Sequence, residues 1–196
     1  MSPNVWENDD FIFKGDELKG MTDKGKDKVK TQGFTDMVIP PTTPEGVAIK
    51  RIGDNAFYRR GLTSVVIPDT VESIGYDAFG VCKLTEVKLP SSLVGIEGFA
   101  FYRNKLKKVE FGNKVKTIEP SAFALNELEE ISLPESLEVI DTSAFYKNEL
   151  TTLCLPAAIK KINMYAFCKN NIAEVEIPKS IEFLHRKAFE ENTEIK

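Results

Sequence analysis

The sequence has few of the residues that form covalent or metal-bound cross-links. Its 196 residues include one histidine, His185, and three cysteines, Cys82, Cys154 and Cys168, none of which stands in a CxxC spacing. An odd number of cysteines without that spacing argues against a disulfide framework and against a zinc site. We therefore expect three free thiols, no metal site and no cofactor.

The chain also lacks a strong charge of one sign and a long apolar run. It has 26 Lys and Arg residues against 30 Asp and Glu residues. The basic patch that is typical of nucleic-acid-binding proteins does not stand out, and no apolar run approaches the ~20 residues that cross a bilayer. Residues 1–6 lack a signal-peptide pattern. We expect no nucleic-acid partner and no membrane insertion by this segment, which could still be an excised piece of an exported protein.

The dominant feature that is present is an internal repeat of 22 residues. The dipeptide Ala-Phe recurs at this step with no insertion or deletion, beginning at Ala56, Ala78, Ala100, Ala122, Ala144, Ala166 and Ala188. A fixed period of about 20–50 residues is typical of a solenoid or a related repeat architecture. We number the repeats as coils one to seven after these dipeptides.

Further apolar positions keep the same period and define columns along the array. The Ile column holds Ile52, Ile74, Ile96, Ile118, Ile140, Ile162 and Leu184. The Leu column holds Leu62, Leu84, Leu106, Leu128, Leu150 and Ile172. The Val column holds Val65, Val87, Val109, Ile131, Leu153 and Val175. One coil cannot bury enough apolar surface to fold alone, so the coils must stack.

The Val column carries the strand signal. Val65, Val66 and Ile67 and their equivalents alternate between apolar and mostly polar positions, which is the period of a strand, and proline follows directly at Pro68, as it does in most coils. Proline lacks the N–H that a sheet ladder needs and therefore ends the strand. We predict one parallel sheet along the Val column and a helical or 3-10 turn at Ala-Phe on the opposite side.

One polar column recurs among the apolar ones. It holds Cys82, Asn104, Asn126, Asn148, Asn170 and Asn192. An amide side chain can both donate to and accept from the backbone of a turn. We interpret this column as an inward structural ladder and not as a set of catalytic residues.

The combined pattern, I-x-x-x-A-F-x-x-N/C-x-L-x-x-V-x-I/L-P-x-x-V, resembles the BspA-like leucine-rich repeats of bacterial surface proteins over residues 52–192. The resemblance implies a β-rich α/β repeat fold, a right-handed solenoid with a strand-lined face and an N-terminal cap. It also implies export to the cell surface, adhesion to host proteins such as fibronectin or fibrinogen, and no catalytic residues. This chain has Asn where many members have Cys.

The region before the repeats is expected to be the cap. Residues 10–14 and 17–20 are predicted to form a hairpin, and residues 22–30 a short helix with Thr22 as N-cap that Gly25 weakens. Residues 37–40 repeat the signal of a strand followed by proline, and residues 41–46 are an insertion loop in an irregular first coil. We predict a cap over residues 1–51 and seven repeats over residues 52–196. The last repeat is partial, because Glu194 occupies the next Leu-column position, so the chain is either cut there or ends in a degraded cap.

The candidate binding surface is the outward side of the Val column. Its predicted partner-binding residues are Glu86, Lys88, Lys108, Glu110, Glu130, Thr152, Glu174 and Glu176. Charges there alternate between neighbouring coils, which stabilises a sheet by only ~0.2–1 kcal/mol per pair and can serve solubility alone. Repeat proteins also bind partners through such extended faces, and the acidic end would favour a basic patch.

Three smaller features have competing interpretations. Tyr58, Tyr102 and Tyr146 recur in alternate coils, either as half-buried packing or as an aromatic contact patch. His185 is expected to be exposed, and the acidic cluster around Asp10 lacks the ordered spacing of a calcium loop.

Two function classes follow from these observations: a non-catalytic protein-binding module of a cell-surface or secreted protein, or a structural spacer within a longer one. An enzyme acting on polysaccharide would need a cleft with paired carboxylates, and the sequence shows none.

Overall fold

The computed structural model describes residues 5–192, and Glu194 lies outside that range. The described chain forms one stacked array with a single hydrophobic core that runs from Phe11 in the cap to Ala188 in coil seven. The cap and the repeats therefore share one core, and residue 51 marks the change from the cap sequence to the 22-residue repeat.

The N-terminal cap begins with a 3-10 turn at Asn8–Asp10. Strands β1 (Phe11–Lys14) and β2 (Glu17–Met21) pair antiparallel as a hairpin. Helix α1 (Asp23–Gln32) follows, and its N-cap Thr22 accepts a hydrogen bond from the Gly25 N–H at 3.2 Å. Strand β3 (Asp36–Val38) precedes the regular coils.

Gly25 has a structural role in the cap that its low helix propensity concealed. A Cβ at this position would lie 2.3 Å from the backbone oxygen of Asp10, so only glycine allows α1 to approach the 3-10 turn so closely. Under the helix, the Lys28 ammonium donates to the Asp10 carboxylate at 2.6 Å in a buried ion pair. The cap is thus anchored by a close backbone approach and a buried charge pair.

The main sheet lies along the Ile column. Its two-residue parallel strands are β4 (Arg51–Ile52), β6 (Ser73–Ile74), β8 (Gly95–Ile96), β10 (Thr117–Ile118), β11 (Val139–Ile140), β12 (Lys161–Ile162) and β13 (Phe183–Leu184). Each pairs with the equivalent residues of the next coil, and β2 of the hairpin pairs with β4 to extend the sheet to nine strands. The prediction of a parallel-sheet solenoid is confirmed.

The position of the sheet differs from the prediction. Along the Val column only β5 (Ser64–Val66), β7 (Glu86–Lys88) and β9 (Lys108–Glu110) are strands, and they form two separate pairs, β3 with β5 and β7 with β9. Residues 130–132, 152–154 and 174–176 form no strand in the described chain. The Ile column instead bonds coil to coil repeatedly, as in Gly75 N–H to Ile52 O at 2.8 Å. A segment only two residues long shows no alternation, so the sequence pattern pointed to the longer Val segment.

The Ala-Phe segment is a hydrogen-bonded turn and not a 3-10 helix. In coil one it is flanked by two residues in the left-handed region, Asn55 and Arg59, each at φ 56°. Alternate N–H groups bond within the turn and to the next coil: Tyr58 N–H donates to Asn55 O at 3.1 Å, and Phe57 N–H donates to Ala78 O at 2.7 Å. The same pair of left-handed positions recurs in later coils. The Ala-Phe turns therefore form a second ladder of coil-to-coil hydrogen bonds, in addition to the ladder of the Ile column.

The phenylalanines of the turns form a continuous aromatic stack. From Phe57 to Phe189, neighbouring ring centroids are 5.2–5.5 Å apart, and the rings of coils two to seven are within 8° of parallel. The Phe, Ile and Leu columns are fully buried through most of the array. Burial is incomplete along the Val segment in mid-array, where Phe111, Ile131 and Leu133 are half-buried, and it weakens further at the C-terminal end, where Ile177, Phe183 and Leu184 are exposed. The continuous burial of every apolar column that the periodicity predicts is therefore not found throughout the array.

Candidate binding faces

The asparagine column lies inside the coils and links each coil to its neighbour. In coil four, the Asn126 amide nitrogen donates to Phe123 O and to Phe101 O of the preceding coil, both at 3.0 Å, and its oxygen accepts from Leu106 N–H at 3.1 Å. Asn104, Asn148, Asn170 and Asn192 make the same three bonds. Because backbone groups of two coils satisfy each amide, the column is structural and unavailable to a ligand.

The three cysteines are free thiols in different surroundings. Cys82 occupies the asparagine slot of coil two, where its Sγ donates to Phe57 O at 3.2 Å, and Cys168 is buried in the turn of coil six. Burial raises the pKa of both thiols, and Glu191 and Glu190 raise that of Cys168 further. Cys154 is exposed on the outward side of the Val column.

Thiol reactivity should follow this arrangement. Because the thiolate is the reactive form and burial both blocks access and raises the pKa, we expect one cysteine, Cys154, to react rapidly with a thiol reagent in the folded protein. Titration after denaturation without a reductant should count three thiols. A Cys154→Ser variant should lose the rapid phase only, and rapid reaction of two cysteines in that variant would contradict the placement of Cys82 and Cys168.

The outward side of the Val column, which we call the valine face, carries all eight predicted partner-binding residues, and each of them is exposed. The structure gathers them into two shallow depressions. The first, of about 420 Å³, is lined by Glu86, Lys88, Lys108 and Glu110. The second, of about 820 Å³, is lined by Glu130, Thr152, Glu174 and Glu176, with Ile131, Leu153 and Val175 between them.

The two depressions differ in electrostatics. In the first, the Lys108 ammonium lies 2.5 Å from the Glu110 carboxylate; this contact raises the pKa of Lys108 and lowers that of Glu110. Two acidic and two basic residues there balance each other. In the second, the three carboxylates Glu130, Glu174 and Glu176 have no cation within 4.0 Å in the described part of the chain. Glu130 acts on Lys108 at longer range and helps to raise its pKa, so the excess negative charge of the second depression lies mainly at Glu174 and Glu176.

Charges two positions before the Ile column pair closely from coil to coil. The Lys160 ammonium lies 2.6 Å from the Glu138 carboxylate, whose other oxygen lies 3.5 Å from Lys116, and these contacts lower the pKa of Glu138. Lys50 and Glu72 form an equivalent pair. This pairing was not predicted from the positions beside the Val column, although the 22-residue step shows the column equally well.

A charged corner lies between the Asn column and the Val column. In coil three it presents Lys105, Lys107 and Lys108, and in coil four the same three positions present Glu127, Glu129 and Glu130. All except the half-buried Glu127 are exposed. The charge of the corner thus changes from positive in coil three to negative in coil four, and the net charge of −4 for the whole chain does not show this difference.

The acidic cluster of the cap is compensated by lysines. Carboxylate oxygens of Glu7, Asp9 and Asp10 lie within 4.8 Å of one another. The Lys24 ammonium bridges Glu7 at 2.7 Å and Asp9 at 2.8 Å, while Lys28 contacts Asp10. The ammonium groups occupy the position that a cation would need, so this cluster stabilises the cap.

His185 and the tyrosines pack locally. His185 is half-buried, in contrast to the expected exposure, and its Nδ1 accepts a hydrogen bond from Lys187 N–H at 3.1 Å. Tyr58, Tyr102 and Tyr146 are half-buried as well, and only their neighbour Tyr76 among the tyrosines is exposed. Tyr102 and Tyr76 contact Phe99 with ring centroids 5.2 Å and 5.4 Å away. These contacts agree with packing between coils.

A family model described as the BspA type leucine rich repeat region matches residues 50–172 and 126–196, with six copies. The chain belongs to this family. Leucine-rich repeat proteins of this type are generally protein-binding, their fold is typically non-enzymatic, and they are of the bacterial surface-protein type. No helix of residues 5–192 is both long and apolar enough to cross a membrane.

Solved structures support the fold. A leucine-rich cell surface protein of Faecalibacterium prausnitzii is 23% identical with a TM-score of 0.54, over 89% of this chain and 55% of that one. A leucine-rich repeat protein of Bacteroides ovatus is 18% identical with a TM-score of 0.54, over 91% and 60%. One from T. pallidum is 24% identical with a TM-score of 0.51, over 83% and 63%. The chain thus spans less than two thirds of each of these structures, and no curated protein matches it.

Proposed function

We propose that this segment is a non-catalytic protein-binding module of a bacterial cell-surface or secreted protein, and that it attaches the cell to host or neighbouring-cell proteins. The observation that carries the proposal is the acidic depression of the valine face, lined by Glu130, Glu174 and Glu176. Host extracellular-matrix proteins such as fibronectin and fibrinogen are the first partners to examine.

The chemistry of this depression fits a basic, partly apolar segment of a partner. Its carboxylates have no cation of their own within 4.0 Å in the described chain, so a partner's Lys or Arg would form new ion pairs without breaking old ones. Ile131 and Val175 between them are only partly buried and offer apolar contact. Electrostatic attraction of this kind raises the association rate and weakens with salt. Many copies on one cell would strengthen a modest single-site affinity.

Binding should depend on the three carboxylates. In a solid-phase assay against immobilised matrix proteins, we expect saturable binding that falls with added salt and falls at least ~10-fold in a Glu130→Lys/Glu174→Lys/Glu176→Lys variant, because like charges then face the partner. The matched control is Asp16→Lys/Glu45→Lys/Glu182→Lys, which makes the same change in net charge at exposed positions away from this face.

Two outcomes would contradict the proposal. Equal binding by the two triple variants would show that the partner uses another surface. Failure of the wild-type chain to bind any protein of the panel would favour the alternative role, a spacer that holds another domain away from the cell.

A further inference from the structure

We infer that two copies of this chain associate face to face about a two-fold axis, through the charged corner formed by Lys105, Lys107 and Lys108 of coil three and Glu127, Glu129 and Glu130 of coil four. The inference does not depend on the proposed adhesive function, since it concerns contact between copies and needs no other partner.

The three lysines and three glutamates occupy equivalent places on neighbouring coils. Lys105 N–H donates to Leu84 O at 2.9 Å, and Glu127 N–H donates to Leu106 O at 3.0 Å, so the two coils are in register at this corner. Adjacent strands are stacked about 4.8 Å apart. A compact basic patch therefore lies directly beside an acidic patch of the same shape.

A two-fold rotation brings these patches together. With the axis in the plane of the interface, parallel to the chain direction of the corner and midway between coils three and four, the rotation exchanges the two coils and keeps the direction along each coil. Lys105 then faces Glu127 of the second copy, Lys107 faces its Glu129, and Lys108 faces its Glu130. The symmetry repeats each contact, which gives six ion pairs. The same rotation places Lys83 of coil two against Glu149 in coil five of the second copy.

The structure leaves most of this corner without ion pairs inside the chain. Lys105, Lys107, Glu127, Glu129 and Glu130 have no oppositely charged atom within 4.0 Å among residues 5–192, and Lys108 contacts only Glu110. The absence is informative because charges of successive coils do pair elsewhere in this chain, as Glu138 does with Lys160 at 2.6 Å. At the corner, all of these side chains except the half-buried Glu127 are exposed to solvent, where a second copy can reach them.

The test is sedimentation velocity of the full chain and two charge-reversal variants. We expect wild-type dimers at about 0.05 M salt that dissociate toward about 0.5 M, where the Debye length is only a few ångströms. Lys105→Glu/Lys107→Glu and Glu127→Lys/Glu129→Lys should each weaken self-association at least ~100-fold, since like charges then face each other. A 1:1 mixture of the two variants should form dimers again, because each of the six pairs across the interface of the mixed dimer then joins opposite charges.

The control Lys14→Glu/Lys179→Glu makes the same change in net charge as the first variant at exposed lysines away from the corner, and it should dimerise like the wild type. Circular dichroism of each variant checks that it is folded. The inference is overturned if the wild type is monomeric at low salt, if the reversal variants dimerise as well as the control, or if their mixture stays monomeric.

Discussion

Replacement of Phe123 by alanine is expected to destabilise the protein by ~3–5 kcal/mol, the usual cost of removing a fully buried aromatic side chain. Phe123 is completely buried between Phe101 and Phe145, whose ring centroids lie 5.3 Å and 5.5 Å from its own. Phe111 also meets it edge-on at 5.7 Å. The substitution leaves a cavity in the middle of the array. Neither neighbouring coil can move to fill it without breaking its coil-to-coil hydrogen bonds.

The control for this prediction is Lys108→Ala on the valine face. Lys108 is exposed, and its contact with Glu110 is a surface ion pair, which contributes little to stability. We expect a change within ~0.5 kcal/mol. Urea unfolding of both variants provides the measurement, and similar midpoints would contradict the assignment of the Phe column to the core.

Replacement of Asn126 by alanine is expected to cost about 3 kcal/mol, although it removes only a small polar side chain. The substitution removes four buried hydrogen bonds and leaves Leu106 N–H without the acceptor that it has at 3.1 Å. An unsatisfied buried donor alone costs about 1–3 kcal/mol. Phe101 O and Phe123 O each keep one amide donor, from Asn104 at 3.1 Å and Asn148 at 3.0 Å, which limits the loss.

Two further variants at this position separate hydrogen bonding from space filling. Asn126→Asp keeps the shape and the acceptor but directs a carboxylate at two carbonyl oxygens, so it should destabilise at least as much as alanine. Asn126→Cys should cost less than alanine, because Cys82 fills the equivalent slot of coil two and donates to Phe57 O. Thermal unfolding of the three variants measures the order, and a stable Asp variant would contradict it.

Periodicity alone predicted the stacked coils because each apolar column repeats at 22 residues with no insertion. Turn and capping residues predicted the hairpin and helix of the cap, where the turn at Gly15 and the N-cap Thr22 mark the element boundaries. Local patterns of this kind depend on neighbours in the sequence, so they can be read from one chain.

The location of the main sheet could not be predicted in the same way. The strands at the Ile column are two residues long and are set by pairing between coils, as in Thr117 and Ile118 with Val139 and Ile140. The left-handed turn positions were hidden too, because residues as different as Val81, Phe99 and Lys147 occupy them. Only coil-to-coil bonding reveals either feature.

The candidate site was predictable in its exposed positions but not in its grouping. The sequence showed which side chains flank the Val column, yet it did not show that Lys108 pairs with Glu110 along its own strand and not with Glu86 or Glu130 across coils. Such side-chain choices depend on distances of a few ångströms. They determine which carboxylates remain available to a partner.

Amide hydrogen exchange, followed by NMR, tests most directly how the coils are held together. The N–H groups of Phe123 and Leu128 bond to the next coil, through Ala144 O at 2.9 Å and the Asn148 side chain at 3.2 Å. The N–H groups of Ile131 and Leu153 have no backbone acceptor in residues 5–192. We predict slow exchange at Phe123 and Leu128, recurring every 22 residues in the middle coils, and faster exchange at Ile131 and Leu153. Strong protection of Ile131 and Leu153 together with rapid exchange at Phe123 and Leu128 would place the ladder on the Val column and contradict this account.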